Sequence, residues 1–127
     1  MKALSDYLAE KTNEPFKWGE NDCMLFAAKF VKRITDKDFY SDYGSYNTRQ
    51  QAQALIKKHA GIEQMVTNAL GEPHDNYRKA QRGDIVLMRT PDETLGIVDD
   101  SGERVACVSK NGLTRLALKE SVLIWRC

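Results

Sequence analysis

Apolar residues in the first part of the chain recur three and four positions apart, whereas from Gly83 onward they come in short β-branched runs separated by turns. Ala3, Leu4, Tyr7 and Leu8 predict a short helix over residues 3–11, ended by Asn13-Glu14-Pro15. After Gly19, Asn21 or Asp22 can cap a second helix that runs to about Ile34, with Cys23, Phe26, Ala27, Phe30, Val31 and Ile34 on its buried face. Asn47 or Thr48 can cap a third, "TRQQAQALIKKHA", and "IEQMVTNAL" reads as a fourth. Gly61 and Gly71 are expected to stop these two helices in the left-handed conformation. Five strands follow: "DIVLM", "TLGIVDD", "RVACVS", "LTRLAL" and "VLIWR", joined at "TPDE", "DSGE" and "SKNG", where Asp, Gly and Asn permit tight turns. Helices followed by strands without alternation place the chain in the α+β class, with an antiparallel meander or small barrel as its second half.

No linker, repeat or low-complexity stretch interrupts the 127 residues, so residues 1–127 are expected to form one domain. Nineteen Lys and Arg against eighteen Asp and Glu leave a net charge of +1 with the signs interspersed, which does not imply a nucleic-acid partner. The start "MKALSDYLAEKTNEPF" is charged at Lys2, Asp6, Glu10 and Lys11, unlike a signal peptide or membrane span. The expected setting is therefore a bacterial cytosol, with no membrane partner. Three cysteines, Cys23, Cys107 and Cys127, lack metal-ligand or disulfide-framework spacing, so no zinc site and no cofactor is implied.

The stretch "FKWGENDCMLFAAKF" carries the candidate chemistry. A thiol in the first turn of a helix sits among unpaired amides at the positive end of the macrodipole, which favours thiolate. Cys23 can thus be a nucleophile; taken alone it reads first as a small buried core residue, since free Cys is among the most buried residue types. Trp18 reads as a core aromatic or as the wall of a groove. Asp22 reads as an N-cap, with a place in the cleft as the other option.

These residues resemble the nucleophile segment of the NlpC-type papain-like cysteine peptidases. The order of the remaining motifs is similar: "QRGDIVLM" resembles that family's Gly-Asp strand and "TLGIV" its His-Val-Gly-Ile strand. A phage-associated branch, found among tail genes, resembles the chain more closely through Trp18-Gly19, Asp22-Cys23 and the tail Gly112, Leu113, Leu116, Trp125 and Arg126. The resemblance covers about residues 14–127 and implies a papain-like α+β fold. It assigns the nucleophile to Cys23, the base position to Thr94 and the orienting position to Ala106. Neither Thr94 nor Ala106 can take a proton at neutral pH or hold an imidazole, so the resemblance implies a nucleophile without partners.

The other candidate bases are the two histidines of the chain, His59 and His74. His59 ends a helix, where a surface cation suits the dipole. His74, in "GEPHDNY", reads as a solvated loop residue that could still reach over a cleft to Cys23. Tyr40, Tyr43 and Tyr46 form an aromatic loop that could line a partner surface or simply pack a long connection.

The expected function is that of a phage or prophage tail-associated protein with a catalytically degenerate NlpC-like fold. It would act by binding or assembly, with other tail proteins, or a cell-wall peptide, as partners and the virion tail as its destination. An active cell-wall peptidase or amidase using Cys23 is the alternative, and a host-encoded ligand- or protein-binding module a third.

Overall fold

The computed structural model describes residues 2–89 and 93–127. Four helices, α1 (Lys2–Lys11), α2 (Cys23–Thr35), α3 (Arg49–Lys58) and α4 (Ile62–Leu70), precede five strands. The strands are β1 (Ile85–Met88), β2 (Thr94–Val98), β3 (Arg104–Ser109), β4 (Gly112–Ala117) and β5 (Leu123–Trp125). Thr90, Pro91 and Asp92, on which most of the expected "TPDE" turn falls, lie outside the described residues.

The class is α+β, as the change of period predicts. All pairings are antiparallel, in the spatial order β4-β3-β2-β1-β5. β1 to β4 form the expected meander. β5 departs from it: instead of continuing beyond β4 it crosses back to pair with the free side of β1, Val86 facing Ile124. Among the described residues no pairing joins β4 to β5, so the sheet is open rather than a closed barrel.

α2 is the central helix. Asp22 caps it, its carboxylate accepting from the Leu25 amide at 2.9 Å, and Phe26, Phe30 and Val31 repeat on the face turned to the sheet. Met24, Leu25, Ala27 and Ala28 are buried too, because α1 and the loop after α2 close over its other sides. Ile34, expected in the core, stays half-buried at the end of the helix. From α1, Tyr7 packs against Phe26 and Phe30, with ring centroids 5.5 and 5.3 Å away, and its hydroxyl donates to the Phe26 carbonyl at 2.6 Å. That bond satisfies the one polar atom of a side chain only 1% exposed.

β1 is buried at every position, since its two faces serve two clusters. Ile85 and Leu87 join the helices; Val86 and Met88 join Val98, Val105 and Cys107 on the opposite face. α4 docks on β5 through Trp125, whose indole N–H donates to Thr67 at 3.1 Å.

Gly83 and Asp84 shape the lead into β1, as expected: the Gly83 amide donates to the Val98 carbonyl at 2.9 Å and the Asp84 carboxylate accepts from the Gln81 amide at 2.8 Å. The end of α3 differs from expectation. Ala60, not Gly61, takes the left-handed conformation, with φ of 69°, and Gly61 then donates to the Ile56 carbonyl and leads into α4. The pair of bonds, Ala60 to Lys57 and Gly61 to Ile56, closes the helix end firmly enough to hold a non-glycine residue there.

Candidate functional site

The loop Phe16–Asp22 is folded back on itself before α2 begins, and this places Cys23. Asn21 and Lys17 bridge through their backbones, and the Asn21 side-chain amide donates to the Glu14 and Pro15 carbonyls, both at 3.1 Å. Asp22 ties three segments together: its carboxylate accepts from Leu25 in the helix, from the Gly19 amide at 2.9 Å and from the Tyr46 hydroxyl at 2.6 Å. Burial and the adjacent Asp22 charge together push the Tyr46 phenol well above its ordinary value, so it stays a donor. Asp22 is 1% exposed and lies beneath the surface as a cap and tie; it does not line the cleft.

Cys23 is the first residue of α2 and opens into a cleft of about 610 Å³. Phe16 and Trp18 from the loop, set edge to face with centroids 4.7 Å apart, line one part of it. A face of α3 lines another, and Thr94 at the start of β2 adjoins Cys23. Trp18 is half-buried, so it forms part of the cleft rather than a core aromatic.

The electrostatics of Cys23 are decided by burial. Burial raises the thiol above its ordinary value, against the Leu95 amide, the Thr94 hydroxyl and the Met24 amide, each placed to stabilise a thiolate. Asp22, next in the chain, adds to the rise. Desolvation therefore outweighs these three hydrogen-bond donors, the opposite of what an activated thiol requires. Alkylation by iodoacetamide should accordingly follow a pH profile with its midpoint above the ~8.5 of a free thiol. The rate would still be climbing where an unburied cysteine has reached its plateau; a midpoint near neutrality would reverse the sign of this argument.

The position expected to orient a base requires correction. Ala106 points into the helix-side core, fully buried, and does not line the cleft. Cys107 is the residue on the sheet face shared by Thr94 and Gly96: a Cβ at Gly96 would lie 2.8 Å from its sulfur. Its thiol is raised to about 12, first by burial and then by the nearby Cys23 charge. Gly96 is needed here because β3 side chains and the Ala106 carbonyl cross directly over it.

Neither histidine lines the cleft. His74 pairs with Ile124 at the β5 side of the sheet, its amide donating at 2.9 Å, and its Nδ1 accepts from the Asn76 amide at 3.3 Å. It is half-buried rather than solvated, with Nε2 shielded and unpartnered. His59 caps the C-terminal end of α3 and stacks edge to face on Tyr43 at 4.4 Å, so it is held by the aromatic loop rather than displayed as a surface cation. Among the described residues no three metal-ligating side chains converge, and no helix is long and apolar enough to cross a membrane.

Two contributors were not legible as such in the sequence. Tyr46 belongs to the aromatic loop, but its bond to Asp22 pairs residues 24 positions apart. The α3 residues Arg49, Gln53 and Lys57 carry no signal in the sequence that sets them apart, yet they sit at the cleft.

The match to known families covers the whole chain, residues 1–127. The chain belongs to the family described as a domain of unknown function (DUF6950). No curated protein matches it.

Proposed function

We propose that this protein is a non-hydrolysing binding or assembly module on an NlpC-like, papain-like scaffold, working as a tail-associated component of a phage or prophage. The observation that carries the non-hydrolytic part is the neighbour of Cys23. Where the resemblance expects an imidazole stands Thr94, and the thiol it adjoins is raised by burial. A cysteine hydrolase needs a group that takes the proton from the thiol and returns it to the leaving amine, typically worth ~10² to 10⁴-fold in rate. Thr94 and Cys107 do neither at neutral pH, and His59 and His74 are engaged elsewhere. The tail assignment rests on the motif order in the sequence.

One feature favours the rival reading of an active cell-wall peptidase or amidase: Cys23 occupies the first helical position and reaches an open cleft. Turnover of muropeptides by wild-type, Cys23→Ala and His74→Ala proteins in parallel separates the two. The expected result is no Cys23-dependent turnover. Loss of a measurable wild-type rate in both variants would make Cys23 and His74 a working pair and end the degenerate reading. Loss with Cys23→Ala alone would end it as well and require another base.

A further inference from the structure

α3 is the least embedded of the helices. Ala52 is its one buried residue; Leu55 and Ile56 are half-buried, and Arg49, Gln53 and Lys57 are exposed. The residues it turns to the cleft are Arg49, Ala52, Gln53, Ile56 and Lys57, a single helical face at spacings of three and four. Ala52 and Ile56 make an apolar centre with a cation at each end. Among the described residues neither Arg49 nor Lys57 has a carboxylate within ion-pair distance. Among the described residues the one acid at the cleft, Glu93, already faces Arg89 at 3.6 Å.

We propose that this cleft receives an extended acidic peptide segment of a partner protein, with an apolar side chain seated between Trp18 and Ile56 and flanking carboxylates meeting Arg49 and Lys57. The spacing selects the ligand. Arg49 and Lys57 are eight residues apart on α3, a rise of about 12 Å at 1.5 Å per residue. An extended chain covers this in about four residues. Positions i, i+2 and i+4 of such a chain project to the same side, so acid, apolar and acid side chains all enter the cleft together. A helical ligand would need eight residues, more than two full turns, for the same span.

The inference rests on the reading of the cleft as a binding site, and one experiment keeps the two apart. Glu-Ala-Leu-Ala-Glu-amide carrying fluorescein on an N-terminal glycine spacer is titrated with the full chain by fluorescence anisotropy, beside the Lys-Ala-Leu-Ala-Lys and Glu-Ala-Ser-Ala-Glu versions labelled in the same way, and each peptide is weighed by mass spectrometry afterwards. The acidic leucine peptide should bind at least about tenfold more tightly than the basic one, since like charges set together oppose binding. Its affinity should fall as salt is raised and should drop at least about tenfold in Arg49→Glu/Lys57→Glu protein. Both substitutions are at exposed positions, and circular dichroism checks that the fold is kept. The serine peptide should bind more weakly than the leucine one. Equal binding of the acidic and basic peptides, or no saturation up to about 5 mM, a level above the millimolar limit of weak recognition, overturns the peptide inference and leaves the non-hydrolytic reading standing. Tight acidic binding accompanied by cleavage that requires Cys23 supports the ligand assignment and overturns the non-hydrolytic reading instead.

Discussion

Phe30→Ala protein should unfold ~3 to 5 kcal/mol more easily than wild type in denaturant melts. Phe30 is fully buried on α2, 5.3 Å from the Tyr7 ring, and belongs to the cluster that joins α1 and α2 to the helix-facing side of the sheet. Truncation removes apolar area from the core and leaves a cavity that two packed helices and a sheet cannot easily collapse. A domain of this size is stable by only about 5–15 kcal/mol, so the loss is a large share of the total and should lower the melting temperature by roughly 10–20 °C. A loss below ~1 kcal/mol would mean that α2 is not packed as described, because that is the scale of exposed substitutions.

Gly19→Ala should be damaging for a different reason and should reach the cleft. Gly19 has φ of 81°, and a Cβ there would overlap the Tyr46 carbonyl oxygen. The left-handed conformation alone costs a non-glycine residue ~1 to 2 kcal/mol. Overlap with backbone cannot be relieved by rotating a side chain, so the loop around Tyr46 must move, at a further ~1 to 3 kcal/mol. That movement pulls the Tyr46 hydroxyl from Asp22, leaving a buried carboxylate short of a donor beside Cys23. Gly44→Ala is the control. Gly44 has φ of 87° but nothing within 4 Å of where the new methyl group would stand, so it should lose only the conformational part. A Gly19→Ala loss no larger than the ~1 to 2 kcal/mol conformational part would show that the Gly19–Tyr46 contact carries no energy.

Much of the fold is legible in the sequence because its signals are local. The period of apolar residues, Asp22 before a helical run and the turn residues between β-branched blocks together give α2, α4 and all five strands nearly to the residue. The failures begin where distance along the chain enters. β5 pairs with β1 rather than following β4, and Trp125 is buried against α4 there, a long-range arrangement that no local pattern encodes. The orienting position fell on Ala106 by counting residues. Because successive strand side chains point to opposite faces, an offset of one residue moves the count from Cys107, on the face shared with Thr94, to Ala106 in the helix-side core.

The same division holds at the candidate site. Sequence alone determined that Cys23 stands at the start of a helix behind Asn21-Asp22, either of which could cap it, that Thr94 stands at the β2 position where the resemblance expects an imidazole, and that two histidines are the only other bases of that kind. These follow from residue identity and neighbouring residues. Only the tertiary structure decided that burial raises the Cys23 thiol against the hydrogen bonds around it, that His74 is tied to β5 and His59 to Tyr43, and that a polar face of α3 is brought to the cleft. A pKa depends on the summed surroundings of a group, and a cleft on segments meeting across the chain. Neither quantity exists until the helices and sheet have closed on one another.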